Sequence, residues 1–503
     1  MVTHKVREAL CSEVDKMLAP YGARRVSKSE RTERVYKGYE FGWEIDTQLV
    51  FNGQPVFVRL MYDGDVNKVL PDVFVSSPRI EPLTFPHLES NGKLCVWPER
   101  FIVDLNDLGY INELLSDTAT LLESAISGSI DYHFEEEFQS YWIYHCKNNF
   151  DNVCIVDLED CRSREVSIKR IGRNGFLYGE SDKQIVAWLD NQNKLHKAEG
   201  KKRARQISQI SKSCIIFFER VLKPDEYPKT ASELYELIRR EHGNDANLII
   251  GLIAGSLSSR NIDTPSILLS FESVTGRSVV GLFFQRGLFA KHNRKAVADG
   301  FRNAIPLMHV VQRTALTPTY GGFVNRADAA WVIGRDSNTK RNLISDHKVA
   351  VIGCGSLGSS IARLLVKSGI DKIYLIDGDS VKTENISRHE LGLSWVGRNK
   401  ARALKDEFGL NYPHVEVEAC EQYFKDTMLF RDILSDVDLV VSCTGNWYSD
   451  QAVLSIQKDE CFPVIFVFVE AHACAGHVLL NIPDSGAYES IHFCSGESVG
   501  KLR

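Results

Sequence analysis

The stretch VAVIGCGSLGSS, residues 349–360, decides how the C-terminal third of this chain folds. An apolar run, 349–352, enters Gly353, Gly355 and Gly358 in the order G-x-G-x-x-G, and a helical pattern follows through 361–367. Strand, glycine turn and helix in that order begin a βαβ unit. The first glycine permits the tight turn and the second lets a phosphate approach the backbone, while the helix amino terminus offers unpaired N–H donors at the positive end of its dipole. The pattern continues through LIDGD (375–379), VEVEACEQ (415–422) and LVVSCTGN (439–446), so a parallel, doubly wound sheet is expected.

Asp377 ends the second strand, 24 residues beyond Gly353, where an acidic side chain takes the ribose hydroxyls. Up to that point a nicotinamide dinucleotide and ATP fit equally. Asp379, Asn385, Arg388 and Lys400 follow closely, a polar and cationic set that a triphosphate needs and the adenosine half of a dinucleotide does not. Each alone reads as a surface charge; at these spacings they read as a site. Arg388 and Lys400 are expected to neutralise phosphate charge while a carboxylate attacks the α-phosphorus.

GCGSLGS, IDGD, NISR and GRNKA together resemble the adenylation domain of the ubiquitin-activating superfamily, the ThiF and MoeB type that includes bacterial thiamine and molybdopterin sulfur-carrier activators. The resemblance covers about 348–480. It implies a Rossmann-like adenylation fold using ATP and Mg2+, with Asp377 on the ribose and Asn385, Arg388 and Lys400 on the phosphates. It also implies a homodimer in which an arginine from before the first strand reaches the partner's ATP, for which Arg326 and Arg335 are candidates. One position departs: SCTGN stands for the usual D-C-T-D-N, so Gly445 occupies the place of the magnesium-binding acid. The metal ligands are therefore unassigned, with Asp379 or Asp450 as substitutes. Such enzymes carry their own cysteine past the last strands. Cys494 lies in that region with Cys474 before it, a structural role competes for Cys494, and the closing helix and a second cysteine are expected beyond Arg503.

Near the other end, FPHLESNGKLCVWP (85–98) places Cys95 after a proline-rich loop and before a helical region. The stretch resembles the active site of ubiquitin-conjugating enzymes, His87 matching the histidine and Gly92, Leu94 and Cys95 the G-x-I/L-C, although the asparagine of H-P-N is missing. A thioester on an accessible cysteine keeps an acyl group reactive. Activation and conjugation are consecutive steps, and a chain holding both resembles the fused enzymes of bacterial antiphage (CBASS) operons built around cyclic-oligonucleotide signalling. That resemblance implies a protein C-terminal tail as substrate, that of a cyclic-oligonucleotide synthase, and cellular amines as acceptors. Two other classes carry the same residues: an NAD-dependent oxidoreductase, and a noncatalytic scaffold whose sites have decayed.

With 503 residues, the chain is expected to fold as an α/β multidomain protein. Residues 1–150 make an α+β ubiquitin-conjugating-like unit, with a helix ending near Pro20 and Gly22, a hairpin at Asn52-Gly53 and helices over 104–146. Residues 151–340 form a connecting α/β unit without a catalytic motif, with strands at 213–218, 248–254, 267–271 and 278–284. Residues 341–503 hold the adenylation unit. The start carries charges every few residues and lacks the apolar core of a secretion signal, so no export is expected, and no stretch has the apolar length of a membrane span. Twelve cysteines without a C-x-x-C pair argue for reduced thiols in a cytoplasm rather than disulfides or structural zinc. A net charge of −6 gives no general attraction to nucleic acid, and the basic run from Lys194 to Arg205 reads as a solvated face.

Overall fold

The computed structural model describes residues 2–97, 102–146, 151–172, 175–196, 209–259, 262, 264–273, 276–288, 305–333, 342–412 and 415–483. Their strands form three sheets.

The first follows the helix Val2–Leu18, which buries Cys11, Val14 and Leu18 and stops where Gly22 takes a φ of 64°. It is an antiparallel meander of β1 (Arg24–Arg25), β2 (Phe41–Phe51), β3 (Gln54–Tyr62), β4 (Asp72–Ser77) and β5 (Lys93–Leu94). Asn52 and Gly53, at φ 50° and 77°, turn β2 into β3 with Phe51 opposite Gln54, as an Asn-Gly hairpin requires. The helix Tyr110–Ser127 lays Ile111, Leu114 and Leu122 on Trp43, Ile45, Val58 and Leu60.

The second sheet is mixed and eight-stranded: β6 (Asn152–Cys154), β7 (Arg164–Ile171), β8 (Gly175–Gly179), β9 (Ser211–Phe218), β10 (Ser266–Ser273), β11 (Gly276–Phe284), β12 (Thr319–Gly322) and β13 (Val324–Arg326), in spatial order β12-β11-β10-β9-β7-β8-β6-β13. Residues 248–254, expected as a strand, instead lie within the helix Ala246–Leu257. Ile249, Ile250, Ile253, Ala254 and Leu257 are all buried there, and a short continuous apolar run does not separate a buried helix from a buried strand. Phe138 and Trp142 of the short helix Phe138–Trp142 belong to this same core. Of the basic run, residues 197–208 lie outside the described residues.

The third sheet has the order β16-β15-β14-β17-β18-β19, with β14 (Lys348–Ile352), β15 (Lys372–Ile376), β16 (Glu416–Cys420), β17 (Leu439–Ser442), β18 (Val464–Val469) and β19 (Gly476–Asn481). The first five are parallel and β19 closes the edge antiparallel. The chain leaves β14 in one direction across the sheet and β17 in the other, so the carboxyl ends of these two strands flank the crevice where ligands of open α/β sheets bind.

Candidate functional site

The glycine loop lies at that crevice. Gly353 takes a φ of 84°, and a Cβ there would come within 3.0 Å of the Cys443 and Thr444 backbone. A Cβ on Gly358 would stand 1.8 Å from the Gly353 carbonyl oxygen, so helix and loop close only on glycine. A Cβ on Gly355 would meet no protein atom within 4 Å, which leaves the space above the loop to a ligand. The helix Ser356–Ser368 starts there without a side-chain cap, so its first N–H groups favour an anion.

Asp377 grips this loop. Its Oδ2 accepts the Cys354 N–H at 2.7 Å and its Oδ1 the Asp379 N–H at 2.7 Å. Burial raises its pKa, with those bonds and Lys400 acting against the rise. Asp379 is half exposed and accepts Tyr423 Oη–H at 2.6 Å and Lys400 Nζ at 3.0 Å, which together lower its pKa. Lys400 is only 10% exposed at its side chain and opens the helix Lys400–Asn411, so it is no surface charge. Asn399 caps that helix by accepting the Arg402 N–H at 3.0 Å and donates to the Asp377 carbonyl at 2.7 Å, tying helix and loop together.

The segment between is pinned to the loop. Ser356 Oγ donates to the Arg388 carbonyl at 3.0 Å, and His389 Nε2 donates to the Cys354 carbonyl at 2.8 Å while its Nδ1 accepts the Leu391 N–H. The Arg388 side chain, however, is exposed and donates to the Glu384 carbonyl at 2.8 Å, and Asn385 Oδ1 caps its own turn by accepting the Lys382 N–H. Asp377, Asp379 and Lys400 are thus assembled through side chains, whereas Arg388 joins them through its backbone. Asn399, His389 and Tyr423 are not singled out by the sequence; an asparagine ahead of a helical run is the signal that could have found Asn399.

Asp379 and Asp450, the two acids expected to substitute at Gly445, are both engaged by protein groups. Asp450 is buried and its Oδ1 accepts Ser442 Oγ–H at 2.7 Å and Thr444 Oγ1–H at 3.2 Å, while Asp379 is paired to Lys400. Among the described residues no group of three or more His, Cys, Asp or Glu side chains is arranged to hold a metal ion. Gly445 itself has φ 56°, with nothing within 4 Å of a Cβ. Arg326 is also ruled out as an arm reaching outward. Its guanidinium makes a bidentate pair with Asp328 at 2.9 Å, donates to the Arg277 carbonyl and lies over Trp331, all at 6% side-chain exposure. Arg335 and Cys494 lie outside the described residues. Burial pushes Cys443 up to about 12 and Cys354 well above the usual thiol range, so neither loop cysteine is poised as a nucleophile.

Cys95 differs from these: it is exposed. Residues 85–97 fold on themselves, with Gly92 at φ 87° in the turn, Leu88 bridged to Leu94, and the Cys95 N–H donated to the His87 carbonyl at 2.9 Å. Sequence neighbours eight apart therefore face each other. Asn91, the nearest asparagine, accepts the Lys93 N–H at 2.9 Å and so serves the turn. His87 is mostly buried; its ring meets His133 and Glu137, which the sequence did not single out. No helix among the described residues is long and apolar enough to cross a membrane.

Residues 331–499 match the ThiF family and residues 16–150 match prokaryotic E2 family B. The ATP-dependent ubiquitin transferase-like protein Cap2 of Enterobacter hormaechei subsp. hoffmannii (strain UCI 50) is 35% identical over 106 residues, 21% of this chain and 18% of that protein. The protein of the same name from Pseudomonas aeruginosa (strain BWHPSA011 / Pa011) is 22% identical over 451 residues, 83% of this chain and 74% of its own length. Among solved structures, PaaA aligns with a TM-score of 0.28 and 24% identity, over 33% of this chain and 55% of that one.

Proposed function

We propose that this chain, a fusion of a prokaryotic E2-type module with a ThiF-type, E1-like module, activates the C-terminal carboxylate of a protein with ATP, carries it as a thioester on Cys95 and joins it to an amine. One observation carries the reading. A single polypeptide holds an exposed cysteine on a tight turn and, in another sheet, a glycine loop bordered by Asp377 and Lys400. The name of the two transferase-like relatives supports ATP-driven transfer.

In this reading a carboxylate oxygen attacks the α-phosphorus and pyrophosphate leaves. A thiolate then attacks the acyl carbon, AMP departs, and a final amine attack forms an amide and returns the thiolate. Asp377 orients the ribose, while Lys400, Arg388 and Asn385 serve the phosphates; for Arg388 this needs only that its side chain leave the exposed Glu384 carbonyl. Asp379 holds Lys400 until a phosphate takes it over. No step is assigned to magnesium. Cys494 is the candidate relay thiol of the activating step, and two chains pair through their adenylation modules. The acyl donor is the tail of a cyclic-oligonucleotide synthase of an antiphage operon.

The test is intact-mass spectrometry of the protein incubated with its genomic neighbours and ATP. A thiol-labile adduct is expected on Cys95 and is lost in Cys95→Ala. No adduct with any neighbour, or tight NAD binding without ATP turnover in titration calorimetry, overturns the proposal.

A further inference from the structure

Opposite the Cys95 turn stands a cluster of titratable groups that the activating chemistry does not use. His87 Nε2 lies 2.8 Å from His133 Nδ1, with the rings edge to face. Glu137 Oε2 stands 3.9 Å from His87 Nδ1. Tyr141 Oη accepts the His87 N–H at 2.9 Å and donates to Glu137 Oε2 at 3.2 Å. The His87 backbone is held at φ 63°, a left-handed conformation costly for a residue with a side chain, and its carbonyl carries the Cys95 N–H. Tyr141, shifted upward chiefly by burial, also feels the Cys95 charge, so thiol and cluster share one neighbourhood.

We infer that His87, His133 and Glu137 form a proton-accepting relay for the amine that attacks the acyl group on Cys95, with His133 and Glu137 acting as positioning residues through His87. The inference rests on Cys95 being the acyl-carrying thiol. A neutral amine must lose a proton as its nitrogen bonds to the thioester carbon, or the adduct reverts. In the relay that proton passes from the nitrogen to the imidazole pair as the C–S bond breaks and its electron pair leaves on Cys95 Sγ. The imidazolium then returns the proton to the thiolate or to water, so no further reactant is needed. Two hydrogen-bonded rings hold one proton between them, and the nearby Glu137 carboxylate stabilises a second. Burial lowers the His87 pKa, as does His133, while Glu137 opposes them, which keeps His87 neutral and receptive near neutral pH. The groups facing His87 are His133, Glu137 and the Tyr141 hydroxyl from the helical segment, and Cys95 from its own turn.

The test uses the full chain and bypasses ATP. A fluorescent peptide thioester of mercaptoethanesulfonate loads Cys95 by thioester exchange, and discharge onto L-lysine is followed per loaded molecule from pH 5.5 to 9. The wild type should discharge with a rate that rises through the histidine range. His133→Ala and Glu137→Gln should slow discharge, His133→Ala by roughly tenfold to a hundredfold with that inflection shifted or lost. His133→Gln keeps a hydrogen bond to His87 without a titrating ring. Its failure to restore the rate supports proton transfer; full rescue identifies a structural staple and overturns the inference. Wild-type discharge and pH profile in all three variants overturn it too. A wild type that never loads at Cys95 removes the parent reading instead, and this one with it.

Discussion

Replacing Lys400 by methionine separates the role of its charge from that of its stem. The side chain is 10% exposed, and its ammonium is 3.0 Å from Asp379. An alanine would discard three buried methylenes, about 2.4 kcal/mol at roughly 0.8 kcal/mol each, whereas methionine keeps most of that packing. Losing the ion pair falls between about 1 kcal/mol for exposed pairs and about 3 kcal/mol for buried ones. The lower end applies here, because Asp379 is half exposed and retains the Tyr423 hydroxyl. Stability should therefore fall by about 1 kcal/mol, a few degrees of melting temperature. A charge-assisted contact to phosphate contributes about 1.5–3 kcal/mol, so kcat/KM for ATP–pyrophosphate exchange, driven by the cognate C-terminal peptide, should drop by about ten- to 150-fold. Unchanged exchange in Lys400→Met would refute the phosphate role, as would a melting temperature collapse with nucleotide affinity preserved.

Cys95→Ala should abolish transfer to amines and leave pyrophosphate exchange at the wild-type rate, because the two sites lie in different sheets; equal loss of both would contradict this. Gly358→Ala, whose methyl would stand 1.8 Å from a backbone oxygen, should displace the loop, cost about 3 kcal/mol and remove measurable ATP binding in calorimetry. Gly445→Asp meets no steric obstacle and requires only the left-handed backbone that aspartate tolerates, so its melting temperature should fall by a degree or two while exchange responds to lower Mg2+. An unchanged Mg2+ response would show that no cation approaches this turn.

What was legible in the sequence was local. The Asn52-Gly53 turn and the glycine loop announce themselves because a tight turn or close backbone approach leaves few residue types able to fill it. The apolar run at 248–254 reads as a strand yet is helical, because its helix packs apolar residues against both sheet and neighbouring helices and also shows Leu248 to solvent, which erases the amphipathic signal. Arg326 looked available from its place before the first strand, yet Asp328, two residues on, closes a buried pair that only coordinates reveal. Tyr423 reaches Asp379 across 44 residues and His133 reaches His87 across 46, separations at which a single sequence carries no pairing information.

The middle of the chain lacks a catalytic motif, yet its core bears on the Cys95 site through one short segment. His133, Glu137 and Tyr141 meet His87, while Phe138 and Trp142 of the same segment enter the second core, Phe138 packing 4.8 Å from Phe271 and Trp142 4.8 Å from Tyr227. The two sets alternate along one short segment, so the residues that enter the second core also place the groups that meet His87. His133, Glu137 and Tyr141 are therefore tied to the core of the eight-stranded sheet as well as to the turn that carries Cys95. A change confined to the second core, such as Phe138→Ala, should shift His133 and Glu137 relative to His87 and Cys95 without altering any of the four, and should slow discharge of the loaded thiol. In the proposed reading the connecting unit is part of the geometry of transfer, and the sensitivity of the Cys95 site extends to residues with no chemistry of their own.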